Sequence, residues 1–425
     1  MRFKIHSKTL DNKDVIHFYD NISQEIQTEK GIPVVLKDDP RCTEMLKKFN
    51  WKEENGPITN NLRSLRIQIG LNCNFSCKYC NQRHGSALDK QAVSEVKLPD
   101  SVRVKNFIKL LKENDIKTEQ IALWGGEPFV YIKLLKILVP ELRKLYPDIP
   151  ISTISNGSLI NKDIIDFCLE HRIALTISHD AQAFTVYRND KNPLDDPKIV
   201  KELIRYMDAI KNQPNIWFGI NTVVVPENCD LFAIDQYFFE KFNRKVSWHF
   251  EGIAKLDCES QYVINPFTEE SKKILLNSLF KFGLMDPDKR IANVRDMVSK
   301  YLSWIINQCS PLDKLIPCDV EGSRILATTL DGNILACHGA SKEQFTVGYL
   351  KDLGTVRNNK VISWQDRNNC PDCPYVLFCA GGCAIASNED SEAACENLKL
   401  WYTGIFAAVW FHLFNSVIQS IEPIE

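Results

Sequence analysis

Short apolar runs alternate with longer amphipathic stretches from residue 63 to about 255. Six of the runs have the length and composition of strands: SLRIQI (64–69), EQIALW (119–124), ISTI (151–154), IALTIS (173–178), WFGINTVVV (217–225) and KVSWHF (245–250). Apolar residues at helical spacing predict helices between them, over 100–114, 131–146, 161–172, 196–211 and near 230–242. Repeated strand–helix units predict a parallel sheet covered by helices, as an open sheet or as a partial (β/α)6 barrel.

The rest of the chain divides into four further segments around this predicted core of 63–264. Residues 1–62 form an N-terminal extension, interpreted either as a small substrate-recognition module or as a sheet edge packed on the core. A helical connector covers 265–308, a cysteine-rich region covers 309–400, and a closing helix and tail cover 401–425. The apolar run LWYTGIFAAVWFHLF is shorter than the ~20 residues that a membrane span needs, so we expect a buried helix there.

The 425 residues carry 52 Lys and Arg against 54 Asp and Glu, with the two signs interspersed. This charge pattern indicates neither a nucleic-acid nor a membrane partner. The polar start MRFKIHSKTLDNKD is unlike a secretory signal, so we expect a cytoplasmic protein. Fifteen cysteines in such a chain argue against a disulfide framework and favour metal or cluster ligation. Those that stand alone are predicted to be small buried apolar side chains: Cys42, Cys168, Cys229 and Cys258.

Polar and glycine-rich segments follow the predicted strands at the point where each strand ends. They are the cysteine triplet Cys73, Cys77 and Cys80 after the first strand, Gly125-Gly126-Glu127 after the second, Ser155-Asn156 after the third, and Ser178 at the end of the fourth. Parallel α/β folds build their active sites at the carboxyl ends of the strands. We therefore expect these segments to meet in one cleft.

The triplet CxxxCxxC has a spacing that suits an iron–sulfur cluster. Three thiolates can hold a cube by three of its four irons and leave the fourth iron open to an exchangeable ligand. A zinc site is the alternative, but structural zinc takes four N or S ligands, and only His84 lies near in sequence. The sequence WGGEP (124–128) follows about 45 residues later, at a predicted strand end.

This triplet, with Tyr79 before its third cysteine, and the GGEP motif together resemble the radical S-adenosylmethionine (SAM) superfamily over roughly residues 63–255. The resemblance implies a partial (β/α)6 barrel, a [4Fe-4S] cluster on the triplet and SAM bound to its open iron. It implies that Gly125, Gly126 and Glu127 meet the methionyl ammonium. The other implied SAM contacts are Tyr79 at the adenine, Ser178 at the ribose or methionyl group, and Arg188 at the methionyl carboxylate; Ser155 and Asn156 either line the same cleft or cap a turn.

The C-terminal cysteines form a second pattern. Their order, with a GxxxxC element and then CxxCxxxxxCxxxC, resembles the SPASM domain of radical enzymes that mature peptides and proteins: Cys318, Cys337, Cys370, Cys373, Cys379, Cys383 and Cys395. The resemblance implies a small C-terminal domain with two auxiliary [4Fe-4S] clusters. One would be held by Cys370, Cys373, Cys379 and Cys395, and the other by Cys318, Cys337 and Cys383. The fourth ligand of the latter is either Cys309 or an open position for substrate.

His338 stands where sulfatase maturases of this family carry an acid that takes the substrate proton. An imidazole can act as a base near neutral pH, and it can equally be a structural hydrogen-bonding group beside a cluster. The substitution makes sulfatase maturation itself a poorer expectation for this chain. We name His338 as the candidate catalytic base and keep the structural role as its alternative.

The resemblance implies an enzyme that cleaves SAM to a 5′-deoxyadenosyl radical and modifies a peptide or protein by crosslinking, thioether formation, oxidation or epimerisation. An electron donor such as flavodoxin or ferredoxin is the implied second partner. Two other readings of the same motifs stay open. In the first, the chain is a radical SAM enzyme that acts on a small molecule or nucleotide. In the second, it is a non-catalytic iron–sulfur carrier.

Overall fold

The computed structural model describes residues 1–36, 57–80, 82, 98–252, 265–285, 292–307, 322–340 and 342–424. Its strands are β1 (Arg2–Thr9), β2 (Asp14–Asp20), β3 (Ile26–Thr28), β4 (Asn61–Leu62), β5 (Ser64–Gly70), β6 (Lys117–Thr118), β7 (Ile121–Gly125), β8 (Ile151–Ser155), β9 (Ile173–Ser178), β10 (Phe218–Val223), β11 (Trp248–Glu251), β12 (Ile325–Thr329), β13 (Asn333–Leu335), β14 (Thr346–Tyr349) and β15 (Ser416–Ile424). Its helices are α1 (Asp100–Glu113), α2 (Ile132–Leu145), α3 (Lys162–Glu170), α4 (Phe184–Tyr187), α5 (Pro197–Ile210), α6 (Leu231–Phe242), α7 (Glu269–Leu284), α8 (Ala292–Asn307), α9 (Lys342–Phe345), α10 (Val376–Cys379) and α11 (Asn388–Phe414).

The six predicted strands of the core are neighbours in one sheet. The sheet has the order β11-β10-β9-β8-β7-β5-β12-β13-β14, and all adjacent pairs from β5 to β11 are parallel. Helices α1, α2, α3, α5 and α6 connect successive strands, which confirms the predicted strand–helix alternation. In the residues that the structure describes, β11 is an edge strand, so the sheet does not close into a complete barrel.

The cysteine-rich region contributes the other end of this sheet. Strand β12 pairs with β5 in parallel, with Ile325 opposite Ser64 and Thr329 opposite Gln68. Strands β13 and β14 then continue the sheet in antiparallel order. The strand-rich start of this region is therefore continuous with the radical-enzyme core, and it places the segment after β13, which contains Cys337, beside β5.

The central strands have one apolar face and one face that lines a cavity. On β5, Leu65 and Ile67 are fully buried in the core, whereas Ser64 and Arg66 line the cavity. Strand β7 repeats the pattern, because Leu123 is buried and Trp124 lines the cavity. Successive side chains of a strand point to opposite faces of the sheet. The polar residues of these strands therefore face the cavity, and the apolar residues between them pack under the helices.

The N-terminal strands form a separate antiparallel sheet with the C-terminal strand, in the order β15-β1-β2-β3. Asn21, which follows β2, donates hydrogen bonds from Nδ2 to the carbonyls of Pro371 and Cys373, at 3.0 and 2.9 Å. The beginning of the chain thus contacts the cysteine-rich loops. Both interpretations of residues 1–62 remain predictions, because residues 37–56 lie outside the described part of the chain.

Helix α11 closes the structure, as the apolar run near the end predicts. It packs against α7 and α8, and Phe406 and Trp410 are fully buried. The helix begins at Asn388, so the predicted boundary between residues 400 and 401 falls inside it. Among the described residues, no helix has the length and apolar character required to cross a membrane. The other predicted domain boundaries stay predictions.

Candidate active site

A cavity of about 520 Å³ opens on the strand ends of the central sheet and extends along its polar face. Most of the predicted site residues line it: Cys73, Cys77, Tyr79, Cys80, Gly125, Gly126, Ser155, Asn156, Ser178, Arg188, Cys337 and His338. Glu127, although it belongs to the same motif as Gly125 and Gly126, is not among the lining residues. Apart from Glu127, the segments at the strand ends thus line one shared cleft, as expected.

The cysteine triplet lies in a loop that the protein backbone holds in place. The amide of Lys78 donates to the Tyr187 carbonyl at 2.8 Å, and the amide of Phe75 donates to Cys73 Sγ at 3.3 Å. Burial raises the pKa of the Cys73 thiol to about 11 and that of Cys77 to about 12, and the neighbouring Cys80 raises both further. A bound metal centre is what converts such thiols to thiolates.

The positions of the three thiols of the triplet fit an iron–sulfur cluster. Within the described residues, no three Cys, His, Asp or Glu side chains converge on one point as the ligands of a single ion do. A cluster does not require that convergence, because each thiolate binds a different iron. The three thiols line one cavity and influence one another electrostatically, which is the arrangement that a cube held at three corners needs.

The two glycines of the GGEP motif allow two loops to approach closely. A Cβ on Gly126 would lie 2.4 Å from the Leu71 carbonyl oxygen, and one on Gly125 would lie 2.6 Å from that of Gly70. The amide of Gly126 donates to Gly70 at 3.0 Å, and that of Glu127 donates to the Asn72 carbonyl at 2.9 Å. Because glycine has no side chain, the end of β7 can approach the segment that leads into Cys73 closely enough for these hydrogen bonds to form. The same feature leaves the backbone of the glycine pair open to a ligand.

The Glu127 carboxylate is buried and accepts hydrogen bonds from three protein donors. Oε1 accepts from the Phe129 amide at 3.1 Å and from Ser155 Oγ at 2.9 Å, and Oε2 accepts from the Asn156 amide at 2.7 Å. Burial raises the pKa of Glu127 to about 7, although these hydrogen bonds act in the opposite direction. Its expected contact with the methionyl ammonium stays a prediction, and its visible role is to hold the β8 loop against the GGEP loop.

The raised pKa of Glu127 predicts a pH-dependent stability. Because the folded-state pKa of about 7 exceeds the ordinary value of 4.5, the folded chain binds more protons between these two values. The free energy of unfolding of the cofactor-free chain is therefore expected to fall by about 3 kcal/mol as the pH rises through this window. Glu127→Gln removes this slope, and urea unfolding at several pH values measures it. Glu113→Gln, an exposed control on α1, should keep the wild-type slope; equal slopes in all three proteins would contradict the prediction.

Ser155 and Asn156 have both of the alternative roles predicted for them. They line the cavity, and they also cap the turn after β8. Ser155 Oγ accepts from the Gly157 amide at 3.0 Å, and Asn156 Oδ1 accepts from the Ser158 amide at 2.9 Å. Asn156 Nδ2 in addition donates to Asn74 Oδ1 at 2.8 Å. The β8 turn is thereby tied to the cysteine loop.

Arg188 lines the cavity but forms a buried ion pair with a residue to which the sequence analysis assigned no role. Its Nε and Nη2 donate to the two carboxylate oxygens of Asp180, at 2.8 and 2.9 Å. Asp180 also accepts from the Tyr79 hydroxyl and from the Val223 amide. Two of the three guanidinium nitrogens are thus used, and Nη1 is the one left for the predicted methionyl carboxylate. The position of Asp180 at a strand end was the available signal.

His338 lies against the β5 and β7 side of the cavity. Its Nδ1 is 3.1 Å from Arg66 Nη1, its carbonyl accepts from Gln68 Nε2 at 2.9 Å, and its ring centroid is 3.9 Å from that of Trp124. Arginine only donates, so Nδ1 accepts and the ring proton lies on Nε2. Burial and the charge of Arg66 lower the pKa of His338 to about 3. This geometry favours the hydrogen-bonding role over the proposed catalytic base.

The C-terminal cysteines gather in two groups. Cys370, Cys373, Cys379 and Cys395 are close enough that the charge of one raises the pKa of others, in addition to the larger effect of burial. Cys337 has Cys383 as its thiol neighbour in the same sense. This grouping is the one that the two implied ligand sets require, while Cys309 and Cys318 lie outside the described residues. Cys168 and Cys229 are buried in the core, as predicted, and Cys42 and Cys258 also lie outside the described residues.

Comparison with known proteins assigns the core to a family. Residues 67–230 match the model of the radical SAM superfamily. The chain therefore carries a radical SAM domain, and this domain together with the sulfatase-maturating relative described next indicates an enzyme.

Two relatives and one solved structure indicate where it lies within the superfamily. The cysteine-type anaerobic sulfatase-maturating enzyme of Clostridium perfringens is 21% identical over 355 residues, which cover 76% of this chain and 89% of the relative. The S-adenosylmethionine-dependent nucleotide dehydratase of Psychrobacter lutiphocae is 26% identical over 160 residues, 36% of this chain and only 52% of that relative. The structure of native anSMEcpe with bound AdoMet and Cp18Cys peptide shares the fold, with a TM-score of 0.56 at 19% identity, over 83% of this chain and 98% of the other.

Proposed function

We propose that this radical SAM enzyme modifies a side chain or backbone position of a peptide or protein. The observation that carries the proposal is the position of Cys337 and His338 in the cavity that the cysteine triplet also lines. In the implied scheme, Cys337 belongs to an auxiliary cluster. A cavity with a SAM-binding cluster at one wall and an auxiliary-cluster ligand at another has the layout for making a substrate radical and then accepting its electron.

The bound cofactors supply the chemistry, since reductive cleavage of SAM gives a 5′-deoxyadenosyl radical that removes a substrate hydrogen atom. The residues of the chain bind and orient. Cys73, Cys77 and Cys80 would hold the cluster, the carbonyls of the glycine pair would accept from the methionyl ammonium, and Arg188 would donate to the methionyl carboxylate. The buried cavity walls exclude water from these groups.

At the other wall, the residues around His338 hold the substrate. The ring proton on Nε2 makes His338 a donor, and Arg66 fixes the ring in that orientation. Trp124 covers the ring, and Gln68 holds the following backbone through the His338 and Ala340 carbonyls, both at 2.9 Å. In this proposal, His338 therefore positions a substrate carbonyl or carboxylate and does not remove its proton.

The remaining elements of the proposal follow the same scheme. The C-terminal cysteine groups would hold two auxiliary [4Fe-4S] clusters, with Cys309 or an open iron completing the set of Cys318, Cys337 and Cys383. A flavodoxin or ferredoxin supplies the first electron. The modification of the substrate is a crosslink, a thioether, an oxidation or an epimerisation.

A small-molecule or nucleotide substrate is the second candidate. The nucleotide dehydratase relative favours it, but that match spans 160 residues, about half of the relative. The match to the sulfatase-maturating enzyme spans 355 residues and most of both chains. The longer match extends well beyond residues 67–230 of the radical SAM domain, and this extension supports the peptide proposal.

Mass spectrometry separates the two candidates. The reconstituted, reduced enzyme is incubated with SAM and with short Cys- or aromatic-containing peptides encoded beside its gene, and the intact mass of each peptide is measured. We expect a mass change in one peptide, with 5′-deoxyadenosine formed in proportion; an epimerisation is detected as the uptake of one solvent deuterium at carbon when the reaction is run in D2O. If 5′-deoxyadenosine accumulates, no encoded peptide changes mass, and a nucleotide or other metabolite is consumed, the peptide proposal is wrong.

A further inference from the structure

Arg367 is a buried cation in the cysteine-rich region. Its side chain and backbone are only 4% exposed, and it follows the short turn Trp364–Asp366. Across the described parts of the chain, no Asp or Glu carboxylate lies within ion-pair distance of its guanidinium. A buried charge that lacks an opposite charge is costly, so such a residue normally has an anion close by.

Backbone carbonyls satisfy only part of this guanidinium. Nη2 donates to the carbonyls of Cys383 and Ala386 at 2.8 and 3.3 Å, and Nη1 donates to that of Ser387 at 3.4 Å. Nε is buried and has no hydrogen-bond partner among the residues that the structure describes. The backbone of Gly381 packs directly against this part of the side chain. A Cβ at position 381, where φ is +88°, would lie only 3.0 Å from Nε.

Arg367 also lies between the two cysteine groups. The Cys370 amide donates to the Arg367 carbonyl at 3.3 Å, and the guanidinium binds the Cys383 carbonyl. Because Cys370 and Cys383 belong to different ligand sets in the proposed scheme, one cation acts on both.

We propose that Arg367 sets the reduction potentials of the two auxiliary clusters. Its charge compensates the negative charge of their thiolates, and its Nε–H is available as a donor to cluster sulfur. Net charge, hydrogen bonds to sulfur and burial are the main determinants of the potential of such a cluster. A cluster that is reduced gains negative charge, so a nearby buried cation raises its potential. The inference rests on the proposed auxiliary clusters and adds a residue to which the sequence motifs assign no role.

The test compares charge removal at this site with charge removal at an exposed one. Arg367→Gln removes the charge and keeps donors for the carbonyls, whereas Arg367→Lys keeps the charge. Lys399 is the matched control, because it is exposed and its charge also lowers the pKa of Cys370 and Cys373. Solvent screens an exposed charge far more than a buried one. All variants are made in full-length chains that also carry Cys73→Ala, Cys77→Ala and Cys80→Ala, so that only C-terminal iron remains.

Potentiometric titration followed by electron paramagnetic resonance gives the potentials. We expect Arg367→Gln to lower the auxiliary potentials, Lys399→Gln to lower them much less, and Arg367→Lys to leave them near the parent value. Potentials that are unchanged by Arg367→Gln in an iron-loaded protein would overturn the inference. If the Arg367→Gln variant does not retain iron, the Arg367→Lys variant decides. Iron retained in it at the parent potential supports the role of the charge. Loss of iron from both variants shows that Arg367 has a purely structural role, which overturns the inference. Absence of iron in the parent triple variant would instead contradict the proposed clusters.

Discussion

Replacement of Cys73, Cys77 and Cys80 by alanine is expected to abolish SAM cleavage and to leave iron in the C-terminal region. The three thiols line one wall of the cavity, and the C-terminal thiols gather in separate groups. Without the triplet, no thiolates remain to hold the cluster that binds SAM. If each of three sites holds a four-iron cluster, the iron content should fall by about one third.

Iron and labile-sulfide analysis together with 5′-deoxyadenosine quantification measures this result. Cys168→Ala combined with Cys229→Ala is the matched control, since both cysteines are buried in the core away from the cavity. The control should keep both its iron content and SAM cleavage. Loss of all iron from a triplet variant that is still folded would contradict the three-cluster account.

Asp180→Asn is expected to destabilise the fold strongly and to weaken SAM binding. Asp180 is fully buried and its partner Arg188 has a side chain only 8% exposed, so the substitution leaves a guanidinium charge without compensation. Removing one partner of a buried ion pair costs about 3–5 kcal/mol. Because asparagine keeps only one acceptor oxygen, either the Tyr79 hydroxyl or the Val223 amide also loses its acceptor. The Arg188 guanidinium then loses one of the two hydrogen bonds, from Nε and Nη2, that orient it at the cavity wall.

Two further variants separate the ion pair from a general packing effect. Asp166→Asn on α3 removes an exposed carboxylate that pairs with Lys162 and Arg205, and surface pairs contribute little. Adding Arg188→Met to Asp180→Asn should recover part of the lost stability, because no unpaired charge remains. Denaturant unfolding and equilibrium dialysis with SAM provide the measurements. The account fails if Asp180→Asn is as mild as Asp166→Asn.

Local sequence patterns predicted the elements of the core well. Strand β9 occupies the predicted range 173–178, and β5 extends the predicted 64–69 by one residue. These segments are short, apolar and bounded by turns, so their local composition determines their structure. The last strand was less well placed, because β11 spans Trp248–Glu251, whereas the prediction was 245–250. Strand boundaries depend on pairing with neighbours, which a single sequence does not reveal.

What the sequence missed are contacts between distant segments. Strand β12 joins the sheet beside β5, although about 260 residues separate Ile325 from Ser64. The pairing of Asp180 with Arg188 and the contact of Arg66 with His338 likewise appear only once the chain is folded. Motif spacing predicted the ligands and indicated the cofactor class, but the neighbouring residues that orient these side chains are visible only in the tertiary structure.

The formation of 5′-deoxyadenosine tests the central claim most directly. The full chain is reconstituted with iron and sulfide under anaerobic conditions, its iron content is determined, and it is incubated with SAM and a reductant. The account predicts 5′-deoxyadenosine from this protein and none above background from the Cys73, Cys77 and Cys80 triple alanine variant. A fully iron-loaded and reduced wild-type chain that binds SAM and forms no 5′-deoxyadenosine, even with its encoded peptides present, would contradict it.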